Sequence, residues 1–392
     1  MCGVLTGLYR LMTGGGTSRP QAARRQEREA MGMFKGTRLA AIAAVVAGLF
    51  GGAVTAQAAD PLKVGFVYVG PVGDLGWSYQ HDVGRKALEA HFGDKIKTAY
   101  VEDVAEGADA ERVIAQFGQQ GYDLVFTTSF GFMNPTLKVA KKFPKTKFEH
   151  ATGYKTAENM GIYDARFHEG RAVIGTIAGH MTKTNVIGYI GSFPIPEVVR
   201  GINAVTLAAR KVNPNVQVKV IWVNSWYDPG KEREAAETLI AQGADIITQH
   251  TDSPAAVQVA EEKGVWAFGQ ASDMAKFGPK RLLTSIIDDW SGYYIDRVQA
   301  VMDGKWKADT TWGGFKAGMV KLGPLNPAIP ADVQKAAMDV KAGIEAGTLN
   351  PFAGPIKDQD GKERVKAGEA LTDKDLLSMD WYVEGVQGKL PK

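Results

Sequence analysis

The chain has almost no cysteine. It carries one in 392 residues, Cys2. From residue 3 onward there is no disulfide, no thiol nucleophile and no cysteine metal site to consider. The six histidines (His81, His91, His150, His168, His180 and His250) form neither an H-x-H nor an H-E-x-x-H pattern, which removes the usual support for a zinc site. His250, in His250-Thr251-Asp252 at a strand end, reads as a loop or surface histidine, with a place facing a cleft as the alternative. No G-x-S-x-G elbow is present. The Gly70-x-x-Gly73-x-x-Gly76 turn lacks both the G-K-[ST] ending and the G-x-G-x-x-G spacing, so it argues against a phosphate or dinucleotide loop. Long apolar runs are scarce too. The longest, Leu39–Phe50, falls short of the roughly 20 residues that a spanning helix needs.

An excess of one charge is also missing from the body of the chain. The total is 46 Lys/Arg against 43 Asp/Glu, a formal +3. Residues 1–58 hold seven of the basic and two of the acidic residues, which leaves 39 against 41 in residues 59–392. That near balance gives no basic surface for nucleic acid.

The N-terminal stretch carries an address. Lys35 and Arg38 precede the apolar Leu39–Phe50, and Ala56-Gln57-Ala58 is a small-x-small cleavage site. This is the pattern of a secretory signal peptide, with cleavage expected after Ala58. Residues 1–30 are Gly/Arg/Gln-rich and unlike an export sequence, so Met31 or Met33 makes a better start. No cysteine stands at the cleavage site to take a lipid. The expected product is a soluble periplasmic protein.

From Asp60 on, apolar runs alternate with amphipathic stretches. Lys63–Val69 reads as a strand buried on both faces, followed by a Gly-rich turn and a helix from about Ser78. Further strands are predicted at Lys97–Glu102, Leu124–Thr127, Lys147–His150, Val186–Ile190, Val216–Val223, Asp245–Gln249 and Val265–Phe268. Helices fall between them, such as Asp109–Gln120 and Glu232–Gln242. The alternation predicts parallel sheets with helices on both faces. The two sets are also in register. Asp109–Asp123 resembles Lys231–Asp245 at an offset of 122, and Leu137–Lys142 matches Val257–Glu262 at 120. A repeat this long predicts two similar α/β lobes. The expected organisation is a leader at 1–58, lobe 1 at 59–165, lobe 2 at 166–288, and a return to lobe 1 with a C-terminal extension at 289–392. Within the last part Trp312–Leu322 reads as strand, Ala331–Ala346 as helix ending at Gly347, Asn350–Glu369 as loop or hairpin, and Thr372 as the N-cap of a short helix.

Two lobes around a cleft close on a ligand by hinge motion. In open α/β sheets ligands bind outside the carboxyl ends of the strands. Trp77 and Asp74 stand at such an end in lobe 1, although a tryptophan there can equally pack beneath its own loop.

Gly73-Asp74-Leu75-Gly76-Trp77-Ser78 resembles the D-x-S/G-aromatic-N segment of the BMP (basic membrane protein) family, and Asn224–Lys231, NSWYDPGK, is similar to the family's W/S-F-x-D-P-x-K turn. Phe167-His168-Glu169-Gly170 and Gly243–Ile247 also fit. The resemblance spans roughly Lys63–Asp303. It implies two Rossmann-like lobes in type I periplasmic binding protein architecture. It further implies a substrate-binding protein of an ABC transporter for purine nucleosides and related compounds, a membrane permease as partner, no cofactor or metal, and a monomer. It places a flat base between two aromatic rings, here Trp77 and Trp226, with Ser129 and Thr152 as further members on the lobe 1 side.

Three departures alter the expected ligand. Ser78 stands where the family has Asn. Ala271, in Gly269–Asp273, takes the place of a ribose-binding Asp, and Asp288 takes that of a ribose-contacting Lys. A site without those sugar partners favours a free, adenine-like nucleobase, with Asp288 accepting from an exocyclic amine or ring N–H. The alternative for Asp288 is to cap a helix starting near Trp290. Two other functional classes share parts of this pattern. A sensory binding protein would present the closed lobes to a membrane receptor. An exported nucleoside hydrolase-type enzyme would need paired acids, for which only Asp288-Asp289 stands out.

Overall fold

Val64, Phe66, Val67 and Tyr68 are fully buried in β1 (Leu62–Tyr68), the strand around which lobe 1 is built. The computed structural model describes residues 60–73 and 75–391. The expected signal peptide, its cleavage site and Asp74 lie outside the described residues. After β1 come α1 (Trp77–Phe92), β2 (Ile96–Val101), α2 (Ala108–Gln119), β3 (Leu124–Thr128), α3 (Met133–Lys142), β4 (Lys147–Ala151) and β5 (Met160–Ala165). These strands pair in parallel in the order β2-β1-β3-β4-β5. β3 and β5 are buried along their whole length, as strands covered on both faces must be.

The chain then crosses at Arg166 and repeats the plan. Next are α4 (Phe167–Met181), β6 (Val186–Gly191), α5 (Pro196–Val212), β7 (Gln217–Trp222), α6 (Pro229–Ala241), β8 (Ile246–His250), α7 (Ala255–Lys263), β9 (Trp266–Gly269) and β10 (Leu282–Asp288). Lobe 2 has the strand order β7-β6-β8-β9-β10, the same winding as lobe 1. The duplicated unit inferred from the repeat is therefore the fold, a type I periplasmic-binding architecture. In both sheets the order reverses between the first strand and its neighbours, the switch point at which such sheets bind ligands.

Residues after Asp288 divide between the lobes. α8 (Ser291–Met302) packs against α1, and β11 (Thr310–Gly313) adds to lobe 1 beside β5. β12 (Val320–Leu322) pairs antiparallel with β10 in lobe 2. The single strand expected over Trp312–Leu322 is thus two strands in different sheets. Between them a turn is fixed by Glu169, whose carboxylate accepts from Phe315 N at 2.8 Å.

α9 (Ala331–Glu345) packs on α4, and Gly347 follows it at φ +72°. β13 (Ile356–Lys357) and β14 (Glu363–Val365) form the expected hairpin. α10 (Asp373–Leu377) starts from a capping box in which Thr372 and Asp375 satisfy each other's backbone N–H. β15 (Val386–Gln387) closes the far edge of lobe 2 by pairing with β7. No helix among the described residues is long and apolar enough to cross a membrane.

Candidate functional site

The carboxyl ends of the strands of both lobes converge on one narrow pocket. Lobe 1 supplies Val69 and Trp77 after β1, Ser129 and Phe130 after β3, and Thr152 after β4. Lobe 2 supplies Glu197 after β6, Trp226 after β7, His250 and Asp252 at β8, and Gln270 after β9. Every contribution comes from a strand end, and equivalent loops of the duplicated unit face each other.

The two tryptophans are held by their N–H groups. Trp77 Nε1 donates to Thr128 O at 2.6 Å, and Trp226 Nε1 donates across the cleft to Glu106 Oε1 at 3.2 Å. Trp77 packs edge-on against His81 and Trp290, with ring centroids 4.4 and 5.5 Å away. Trp226 sits in the turn leading into α6. That helix has Pro229 in its first turn, and Asp228 at its N-cap accepts from Lys231 N at 3.1 Å.

Glu106 ties down the lobe 1 side of the pocket. Its Oε1 also accepts from Ser129 Oγ at 2.5 Å and from Gly131 N at 3.1 Å. A second contact between the lobes lies at the start of α1. Gly76 N donates to Ser272 Oγ at 2.7 Å, and the Trp77 backbone N–H donates to the Asp252 carboxyl. Negative charge at a helix N-terminus is favourable. Gly76 adopts φ +101°, and a Cβ there would stand 2.4 Å from Asp252 O.

Acids and one imidazole crowd the lobe 2 wall. His250 is only 5% exposed, which corrects the surface or loop reading. The residue ends a strand buried between helices, and its ring faces inward. Its Nε2 lies 3.1 Å from Glu197 Oε1, and its Nδ1 lies 3.4 Å from Tyr189 OH. Burial, helped by Arg171 and Arg200, keeps the His250 pKa well below the usual histidine value. Burial raises Glu197 to about 7, against the pull of the same two arginines. Asp252 is also raised, by burial first and then by Glu232 and Glu197, while the Trp77 N–H works the other way.

Trp77, Trp226, Ser129 and Thr152 therefore meet in one pocket, whereas Ser78, Ala271 and Asp288 do not line it. Ser78 is buried, and its Oγ accepts from Gly70 N at 3.2 Å, so it braces the loop. Ala271 is fully buried with a left-handed backbone, φ +61°. Asp288 is fully buried too, and neither of its carboxyl oxygens has a hydrogen-bond partner. Burial pushes its pKa well up. It does not cap α8. The N-cap position is Trp290, and the adjacent Asp289 accepts from Ser291 N at 2.9 Å. Among the described residues no group of three or more His, Cys, Asp or Glu is placed to hold a metal ion.

The sequence reading missed Glu197, Asp252, Gln270 and Phe130. The signal for two of them was their offset. Glu197 and Asp252 follow β6 and β8, the partners of the lobe 1 strands β1 and β3 that carry Trp77 and Ser129.

A family model described as "ABC transporter substrate-binding protein PnrA-like" matches residues 62–349. A purine-binding protein of Brucella abortus is 59% identical over 351 residues, 90% of this chain and 99% of that protein. A protein of Haloferax volcanii, named for glucose binding in an ABC transporter, is 41% identical over 85% of this chain and 82% of its own length. Among solved structures, an ABC transporter solute-binding protein from Aeropyrum pernix superposes with a TM-score of 0.65 at 18% identity. That match covers 76% of this chain and 95% of the other, and shows a shared fold.

Proposed function

Because this chain belongs to the PnrA-like family of ABC transporter substrate-binding proteins, we propose that it binds a free purine base, adenine-like in its hydrogen bonding, and hands it to a membrane permease from the periplasm. The observation that carries this reading is the pair of tryptophans, one from each lobe, lining a single pocket with acids and an amide on its lobe 2 wall. Stacking on an aromatic ring is worth about 1–3 kcal/mol per base in nucleic-acid systems. A ring contributed by each lobe makes part of that energy available only when the lobes are together.

A base is favoured over its nucleoside because of what stands at the sugar-binding positions. The positions at which the family resemblance puts sugar partners are the methyl of Ala271 and the carboxyl of Asp288, and neither lines the pocket. Glu197 and Asp252 take over the acceptor role expected of Asp288.

The test is calorimetric titration with adenine, guanine, hypoxanthine, their nucleosides and glucose, after co-purified ligand is stripped by unfolding and refolding. We expect tight binding of a base and binding of its nucleoside at least tenfold weaker. Equal or tighter nucleoside binding overturns the preference for the base. Tight glucose binding with no purine binding overturns the purine reading.

A further inference from the structure

Two pocket side chains to which the family resemblance assigns no role have hydrogen-bonding capacity to spare, and their neighbours dictate its sign. Gln270 is 3% exposed. Arg171, fully buried on α4, donates through Nη2 to the Gln270 side-chain oxygen. A guanidinium has donors and no acceptor, so the amide atom turned toward it is the carbonyl. Arg171 is itself fixed. Its Nη1 donates to Thr248 Oγ1 at 3.1 Å, its Nη2 to Gln249 O at 2.8 Å, and its guanidinium carbon lies 5.3 Å from the Tyr189 ring centroid. The Gln270 amide is thereby locked with Nε2 away from the arginine, and no described residue accepts from that nitrogen.

Glu197 is set the opposite way. With Glu197 ionised, and so an acceptor only, a neutral His250 carries its proton on Nε2 and donates it to Glu197 Oε1, while its Nδ1 accepts from the Tyr189 hydroxyl. Glu197 Oε2 is left without a partner among the described residues.

We infer that Gln270 and Glu197 determine specificity at this site, Gln270 offering only donors and Glu197 an acceptor, so that the ligand edge turned to lobe 2 must carry a ring nitrogen or carbonyl oxygen and an N–H. This rests on the reading of the pocket as a site for a planar purine-type base. Arg171 is then a positioning residue. It touches no ligand, but it fixes which end of the amide a ligand meets. A base with its acceptor replaced by C–H leaves the Gln270 donors buried and unpaired, which costs more than the lost bond itself.

The experiment titrates the protein and its Gln270→Met variant with adenine and with 1-deaza-, 3-deaza- and 7-deazaadenine, each of which exchanges one ring nitrogen for C–H. We expect the wild type to bind one of the three at least about tenfold more weakly than adenine, the size of one net hydrogen bond. Gln270→Met should weaken adenine by a similar factor and bind that analogue and adenine alike. Gln270→Glu, which keeps a partner for Arg171 but offers no donor when ionised, guards against a folding defect in the first variant. It should lose the same discrimination at pH 8. A wild type that binds adenine and all three analogues equally overturns the inference, as does a Gln270→Met or Gln270→Glu profile identical to wild type. In both cases the purine reading stands. A wild type that binds no purine base overturns the reading and the inference together.

Discussion

At the scale of single residues, the indoles of Trp77 and Trp226 are each anchored at one edge, to Thr128 O and to Glu106. Removing either face should cost about 1–3 kcal/mol of binding, a loss of roughly 5- to 150-fold in affinity. We expect Trp77→Ala and Trp226→Ala each to show it by calorimetry, with Phe substitutions losing less. Glu197 makes a second prediction. Its carboxyl titrates at about 7 in the fold against an ordinary 4.5. Between those values the folded chain holds a proton that the unfolded chain has released. This group's contribution to stability therefore falls as pH rises from about 4.5 through 7 and is flat above that. In chemical denaturation without ligand, the stability difference between wild type and Glu197→Gln should shift against the wild type by at most roughly 3 kcal/mol from pH 5 to pH 8. A difference independent of pH would place the Glu197 carboxyl at its ordinary value. Of the site itself, the tryptophans were legible because each lies in a short motif with a turn signal. Glu197, Asp252 and Gln270 were not. Their neighbours in space lie tens of residues away in sequence, and only the sheet order brings them together.

At the scale of elements, the start of α1 is one of the places where the lobes touch. Gly76 has no side chain to cap the helix, and Asp252 and Ser272 supply the contacts from across the cleft, accepting from the Trp77 and Gly76 N–H groups. Gly76→Ala puts a methyl 2.4 Å from Asp252 O and forces a left-handed residue other than glycine. We expect the lobes to be held apart, with ligand affinity down tenfold or more and the secondary structure by circular dichroism intact. Unchanged affinity would show that this contact is dispensable for closure. Helix and strand positions were largely legible, because strands buried on both faces read as apolar runs and helices by their period. β5 escaped notice. Its Met-Gly-Ile-Tyr-Asp-Ala sequence interrupts the apolar run with glycine and aspartate, although all six residues are buried. The alternative in which Asp288 caps α8 fails because Asp288 is buried, while the adjacent Asp289 meets the Ser291 N–H. The residues are adjacent, either carboxylate suits an N-cap, and only the end of β10 decides which one turns toward the helix.

At the scale of the whole molecule, the repeat at an offset of 122 made the two lobes legible, but nothing repeated in the tail, and its docking had to be seen. Residues 350–391 lie beyond the span of the family match, yet they complete lobe 2. β15 covers the β7 edge, which would otherwise present unpaired backbone groups. Buried Arg200 on α5 donates to Leu376 O at 2.8 Å, and Asn203 bonds Trp381 O and Val383 N at 2.8 and 3.0 Å. Arg166, at the first crossing, makes a two-bond pair with Asp373 at 2.9 and 2.6 Å. Deleting the tail after Leu349 leaves Arg200 and Asn203 with buried groups unpaired, at about 1–3 kcal/mol each, besides the apolar contacts of Phe352, Leu376 and Tyr382. The truncated protein should unfold at a clearly lower urea concentration than the full chain, or fail to fold. Asp373→Ala, which removes only a pair whose acid is 58% exposed, should cost under about 1 kcal/mol. The contrast between the two separates a tail that completes the lobe 2 core from one that merely clips the crossing. A truncated chain as stable as the whole would make the tail an appendage, and a large loss in Asp373→Ala would move its contribution to the crossing.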